Sequence, residues 1–201
     1  MNTTTNLPYR GILEYGINQI AMINYLENFH NLPYSDASRL VLSAWEMHVT
    51  KLQADHPYEV TSREKAESIL NEALGFLAMV SKTGGAYSPS ALVDLGWHSL
   101  MLDSYVYMAL CHVLKGEYIH HIPARDGSNE ASCGGGAPCN CNASCRNEGD
   151  YRPGEKFPTL ATTVQAMQEF GSVNMDLWPE VARCGSGNCS SCGGSAACRN
   201  N

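Results

Sequence analysis

The chain has 201 residues, 44% of them hydrophobic, and its 20 acidic and 13 basic residues give a formal net charge of −7. This size predicts one folded domain with a core and room for an appendage. The negative balance and the lack of a Lys/Arg cluster argue against a nucleic-acid partner, and no apolar run reaches the ~18 residues of a membrane span.

Apolar residues at helical spacing predict two helices in the first part of the chain. The first covers about Tyr9–Phe29 and is broken by the Asn31-Leu-Pro sequence. The second starts at a cap formed by Ser35 or Asp36 and stops at Asp55-His-Pro.

The third predicted helix has the clearest start. Thr61 or Ser62 precedes it, and Glu64 lies three residues after Thr61, as a capping box requires. The helix then continues to the Thr83-Gly-Gly sequence, which is typical of a left-handed cap at a helix C-terminus.

The fourth predicted helix runs from about Ala91 to Leu114, after a cap at Ser88 or Ser90. At the helical repeat both of its faces are mostly apolar, which predicts a helix surrounded by the others. One face carries Asp94 and His98. We therefore expect these two side chains to be buried and to need partners, and each can be the partner of the other.

The composition changes after the fourth helix. Residues 124–150 and 183–201 are rich in Gly, Ser and Cys and cannot bury enough apolar surface to become ordered alone. Between them, a short helical segment near 158–172 is expected to pack back on the main domain. The predicted fold is therefore all-α: a bundle of about four main helices at 1–123, followed by a Cys/Gly-rich, mostly irregular extension at 124–201.

A cluster of metal-binding residue types surrounds the fourth helix. Asp94 and His98 are four residues apart, so their side chains face one way. His120 and His121 follow Gly116, where the chain can turn back. Two or three imidazoles with one carboxylate are a familiar site for Zn²⁺ or Fe²⁺. Spacing alone is more typical of an ion pair and a loop. These four residues are nevertheless the candidate ligands of a divalent metal, zinc first.

Residues 93–123 also fit the pattern VDxxWHxxML-x-S/T-xxY-xxxC-xxxxG-xxIHH-x-P. The helix before it matches the same pattern at Arg63, Glu64, Glu72, Phe76 and Leu77. Over roughly Ala37–Pro123 the chain resembles the glycine-rich-domain-containing protein-like family, especially its short bacterial members. The resemblance implies that the four candidate ligands share one site, but it implies no reaction. The larger plant members end in glycine-rich regions, whereas the tail here is also loaded with cysteine.

Eight of the nine cysteines lie in the extension, and only one pair has C-x-x-C spacing. They are Cys133, Cys139, Cys141, Cys145, Cys184, Cys189, Cys192 and Cys198. Four interpretations stay open: two zinc sites, four disulfides, a soft-metal thiolate tail, and a segment resembling the cores of enzyme-modified ribosomal peptides. Cys111, in contrast, is expected to be a small buried hydrophobe.

The N-terminal segment has no basic region followed by an apolar one, so we expect a cytoplasmic protein. The favoured function is metal binding by a helical protein whose tail is stapled by zinc or disulfides. The alternative is a structural protein with the His and Asp residues as core hydrogen-bonders. Its disulfide-linked extension would bind a protein partner or further copies of the chain. A third hypothesis, His98 as a general base oriented by Asp94, leaves enzymatic activity open.

Overall fold

The computed structural model describes residues 7–14, 16–85, 87–121 and 160–179. Within these residues every regular element is helical, which confirms the prediction of an all-α fold. The helices are α1 (Arg10–Glu14), α2 (Ile17–His30), α3 (Tyr34–Asp55), α4 (Arg63–Thr83), α5 (Ala91–Leu102), α6 (Ser104–Lys115) and α7 (Leu160–Phe170), followed by a 3-10 turn at Met175–Leu177. No helix in the described ranges combines the length and apolarity that crossing a bilayer requires.

Two of the predicted helices are each divided in two. The first is interrupted at Gly16, whose φ of 72° leaves the right-handed helical region. The fourth is interrupted at Asp103, whose φ and ψ of −95° and 78° are not helical. The Asp103 side chain accepts a hydrogen bond from the Val106 amide and so caps a new helix, α6. The prediction of one continuous helix over 91–114 was therefore wrong.

The prediction that Ser35 or Asp36 caps α3 was wrong. The helix begins at Tyr34, and Pro33 before it makes no side-chain cap hydrogen bond, so Ser35 and Asp36 lie inside the first turn.

The caps of α4 and α5 lie where the sequence indicates. Ser62 accepts a hydrogen bond from the Lys65 amide at the start of α4, and Ser90 accepts one from the Val93 amide at the start of α5. Gly84, with a φ of 64°, ends α4 in the left-handed conformation. Serine at the N-cap and glycine after the C-terminus satisfy backbone groups that a helix leaves free at its ends.

The most deeply buried helix is α4, not the helix that carries the Asp–His pair. Its residues from Ile69 to Met79 are all buried, and it contacts α1, α3, α5, α6 and α7. The next helix, α5, packs against α4 at very short range, because Gly96 offers no side chain there. A Cβ atom at Gly96 would lie 2.9 Å from Cβ of Ala73 and 3.0 Å from the carbonyl oxygen of Ile69.

This close approach determines which face of α5 is exposed. Asp94 and His98 lie about 200° around the helix from Gly96, so they are on the side away from α4. The expectation that they lie on a buried face was wrong, because α5 is a surface helix of the bundle and not a surrounded one. Leu102, at the next turn along the same face, is 71% exposed.

The segment 160–179 packs on the bundle, as predicted for its helical part. Leu160, Val164 and Met167 of α7 belong to the same core as α4, and Leu177 and Trp178 are fully buried there. The remainder of the extension lies outside the described residues, and the boundary between the two predicted domains stays a prediction.

Candidate metal centre

The histidine after α6 reaches α5 because the chain reverses at Gly116. Gly116 has a φ of 82°, and its amide donates to the His112 carbonyl, which ends α6. Five residues later the chain lies beside α5, with the Ile119 side chain buried in the core. The ring of His121 packs edge-on against the ring of Trp97, with centroids 4.5 Å apart. The sequence therefore brings one imidazole from the loop to a helix that already carries another.

One carboxylate contacts both imidazoles at this place. Nε2 of His121 lies 2.9 Å from Oδ1 of Asp94, and Nε2 of His98 lies 3.5 Å from Oδ2 of the same residue. The two imidazole rings are 4.7 Å apart at their centroids and nearly perpendicular. A ligand atom from each of the three residues can be chosen so that all lie within 4.8 Å of one another. We call Asp94, His98 and His121 the triad.

The triad lies at the surface, and His121 is its least exposed residue. The side chain of His98 is 51% exposed, that of Asp94 is 34% exposed and that of His121 is 14% exposed. Partial exposure lets an ion and its remaining water ligands reach the site without opening the core. It also means that the Asp–His contacts are too well solvated to stabilise the fold much, since such surface pairs contribute about 0–1 kcal/mol.

The three ligand atoms are more widely spaced than in a formed zinc site, with one atom from each residue inside 4.8 Å. In a tetrahedral zinc site with ligand bonds of about 2.0–2.2 Å, neighbouring ligand atoms are about 3.3–3.6 Å apart. Each imidazole contacts a different oxygen of Asp94, at 2.9 Å for His121 and 3.5 Å for His98. Binding of one ion by all three residues would therefore require these side chains to move closer together.

The structure brings together three of the four histidine and aspartate ligands proposed from the sequence. His120 is exposed, and its ring packs on that of Tyr118 with centroids 4.8 Å apart, outside the triad. The eight cysteines of the extension, from Cys133 to Cys198, lie outside the described residues. Cys111 is buried and its sulfur is a free thiol, as expected for a small core residue.

Sequence reasoning assigned no role to the buried residues that hold the loop against α5. Nε1 of Trp97 donates to the hydroxyl of Tyr107 at 2.8 Å, and that hydroxyl donates to the carbonyl of Ile119 at 2.6 Å. Burial raises the pKa of the Cys111 thiol, and a hydrogen bond from the Ile119 backbone opposes this increase. Trp97 and Tyr107 are visible in the sequence as aromatic residues inside the histidine motif. Their spacing does not show that they form a hydrogen bond with each other.

A second buried histidine lies apart from the triad. His48 of α3 is fully buried, and its Nδ1 lies 3.1 Å from Oγ of Ser99 on α5. Its Nε2 has no hydrogen-bond partner within the described residues. Burial, with a smaller effect of the Lys51 charge, lowers the pKa of His48 to about 4. His48 is therefore neutral at pH 7 and acts as a core residue.

Comparison with protein-family models, curated proteins and solved structures found no match to this chain. The resemblance to the glycine-rich-domain-containing protein-like family thus stays a prediction from the residues of the motif.

Proposed function

We propose that this protein binds one divalent transition-metal ion, zinc in the first place, through Asp94, His98 and His121. The observation that carries the proposal is the single carboxylate that contacts both imidazoles, with ligand atoms of all three residues inside 4.8 Å. Two imidazoles and one carboxylate oxygen are donors that suit Zn²⁺ and Fe²⁺ and discriminate against Mg²⁺ and Ca²⁺, which prefer oxygen ligands.

The second support is the way the ligands are held. Asp94 and His98 lie on adjacent turns of one helix, and the ring of His121 is held by its contact with the Trp97 ring. Without a metal, the Asp94 carboxylate serves as hydrogen-bond partner of the imidazoles. With a metal, the same atoms turn to the ion. The site is thus largely formed in advance, which lowers the free energy spent on ordering ligands during binding.

Three protein ligands leave coordination positions for water or another ligand. Such an arrangement is typical of catalytic zinc and non-haem iron sites, whereas structural zinc sites are closed by four protein ligands. A water molecule bound to the ion would be acidified and could act as a nucleophile. Because His98 is half exposed, an open position on the ion would lie at the protein surface, within reach of a substrate or protein partner.

The cysteine-rich extension belongs to the same proposal as a second metal-binding region. A segment this rich in Gly, Ser and Asn needs cross-links to form an ordered structure. Zinc bound by its eight cysteines would supply them without an oxidising compartment. Disulfides are the alternative staple. A thiol count on protein purified under argon, compared with its metal content, distinguishes the two.

The experiment for the triad measures metal content by elemental analysis on the full, untagged chain, purified with reductant. The extension contributes equally to every variant, so differences report the triad. We expect His98→Ala and His121→Ala each to lower the content by one ion per chain. His56→Ala, which alters a histidine at the end of α3, should leave it unchanged.

Two results would decide against the proposal. One is an equal metal content in the original chain and in both triad variants. The other is a loss in His120→Ala alone, which would move the site to the exposed neighbour. Iron in place of zinc would keep the triad as a metal site and change only the identity of the ion.

A further inference from the structure

One buried hydroxyl group connects the helix and the loop that carry the two triad histidines. The hydroxyl of Tyr107, on α6, accepts a hydrogen bond from Nε1 of Trp97 at 2.8 Å. It donates its own proton to the carbonyl oxygen of Ile119 at 2.6 Å. Tyr107 is fully buried, Trp97 is 5% exposed and Ile119 is 3% exposed, so neither bond competes with water.

The two partners of this hydroxyl lie next to the metal ligands in sequence. Trp97 immediately precedes His98 on α5, and Ile119 lies two residues before His121. The Trp97 ring also contacts the imidazole of His121 at 4.5 Å. We propose that Tyr107 is the positioning residue of the metal site, because its hydroxyl fixes the loop backbone against α5 and so sets the separation of His98 and His121.

This inference rests on the proposed function and adds the residue on which its geometry depends. Among the described residues, 117–119 make two other polar contacts with α6: the ion pair of Glu117 with Lys115 at 2.8 Å, and the contact of the Ile119 backbone with the Cys111 sulfur. The thiol is a weak hydrogen-bond partner. The Glu117 side chain is 69% exposed, so its ion pair contributes little. The buried polar attachment of residues 117–119 is therefore the Ile119 carbonyl, together with the buried Ile119 side chain.

A phenylalanine at this position would keep the ring and remove the attachment. The Trp97 N–H and the Ile119 carbonyl would both lose their partner inside the core, where unpaired polar groups are unfavourable. The indole and the loop would shift to find other partners. Burial also raises the pKa of the Tyr107 phenol, so the hydroxyl stays a proton donor over the whole working pH range.

The test is cobalt binding to the full, reduced chain, followed by visible absorption. The spectrum of the original chain minus that of His121→Ala isolates the triad from cobalt held by the cysteines. For Tyr107→Phe we expect about tenfold weaker binding at the triad and an altered position or intensity of the remaining absorption bands. A purely structural role in the core would lower stability without changing the spectrum of the bound ion.

The matched control is Tyr118→Phe, the same chemical change on a half-exposed ring of the same loop, which contacts Tyr107 edge-on. It should bind cobalt like the original chain. If Tyr107→Phe fails to give a native circular-dichroism spectrum, Trp97→Phe replaces it, because it removes the donor to Tyr107 and keeps an aromatic ring beside His121.

The outcomes are distinguishable. If the original chain shows no cobalt signal that depends on His121, the proposed function fails and the inference fails with it. If that signal is present but the folded Tyr107→Phe variant, or Trp97→Phe in its place, binds with unchanged affinity and spectrum, only the positioning role is refuted.

Discussion

The indole Nε1 of Trp178 donates a hydrogen bond to Oε1 of Glu72, 2.9 Å away and 106 positions earlier in the chain. The Asn174 amide donates to the same carboxylate, at 3.2 and 3.3 Å from its two oxygens. A third bond joins the Ser90 hydroxyl to the Leu177 carbonyl at 2.5 Å. Together they attach the segment 160–179 to α4 and to the start of α5, the helix that carries Asp94 and His98.

Glu72 should contribute to stability through its oxygen atoms and not through its charge. Replacing it with alanine leaves the Trp178 and Asn174 donors unpaired in the core, so we expect Glu72→Ala to lose about 1–3 kcal/mol of unfolding free energy. Glu72→Gln keeps an acceptor oxygen and should lose much less at pH 7. Urea unfolding followed by tryptophan fluorescence measures both. Equal losses in the two variants would contradict this role.

The buried carboxylate also predicts how stability changes with pH. Burial raises the pKa of Glu72 above its usual 4.5, against hydrogen bonds from Trp178 and Asn174. The folded protein therefore holds this proton to higher pH than the unfolded chain does, and stability falls as the pH rises from 4.5 through the raised pKa. Relative to Glu72→Gln, the original chain should be less stable at pH 7.5 than at pH 4.5. A difference between the two proteins that is independent of pH would contradict the shift.

His48 should have the opposite effect, in a more acidic range. Its pKa is about 4 in the folded protein and near 6.5 when unfolded, so the unfolded chain takes up the proton first as the pH falls. The contribution of His48 to the free energy of unfolding is therefore greatest above pH 6.5. It falls by about 3 kcal/mol as the pH decreases from 6.5 through about 4. His48→Asn can keep the hydrogen bond to Ser99 without titrating. Its stability should change less between pH 7 and pH 4.5, and a parallel loss in both proteins would refute the assignment.

Gly96 should be required for the position of α5. Alanine favours a helix over glycine by about 1 kcal/mol, but here its methyl group would meet Cβ of Ala73 at 2.9 Å and the Ile69 carbonyl at 3.0 Å. The carbonyl belongs to backbone and cannot turn away, so overpacking should win, with a net loss of about 1–3 kcal/mol.

A double variant separates this contact from a general effect of Gly96→Ala. Ala73→Gly removes the nearest of the three contacted atoms, so the pair Gly96→Ala and Ala73→Gly should be more stable than the sum of the single losses predicts. Strictly additive losses in chemical unfolding would show that the two helices do not meet at these residues.

The sequence alone was sufficient for the helical class and for most helix ends, because caps such as Ser62, Ser90 and Gly84 are local signals. It also identified Asp94, His98 and His121 as a group. The sequence did not predict the helix break at Asp103. Apolar residues on both sides favoured one continuous helix, although Asp is a residue type that favours the N-cap. Asp–Ser at the start of α6 was a readable signal, but helical periodicity outweighed it.

Burial could not be predicted in the same way. Residues 91–114 have apolar faces on both sides, which predicted one helix surrounded by others. The break at Asp103 instead divides them into α5 and α6, which bury different faces. The face of Asp94 and His98 then depends on where α5 meets α4, and that is decided by the missing side chain of Gly96. Long-range pairs such as Glu72 with Trp178 carry no local pattern at all.

The exposure of His98 leads to the last prediction, that a metal in the triad accepts an external ligand. Three protein ligands leave a position open, and a carboxylate with a divalent ion leaves one net positive charge, so a small anion should bind there. Adding azide to the cobalt-loaded chain should change the His121-dependent part of the absorption spectrum, and the change should saturate with azide concentration.

The same addition to cobalt-loaded His121→Ala should leave the thiolate-bound cobalt signal unaltered. A His121-dependent spectrum that azide does not change would mean that a fourth protein ligand, from His120 or the cysteine-rich extension, closes the site. Metal binding by the triad would then serve structure instead of an open reaction centre.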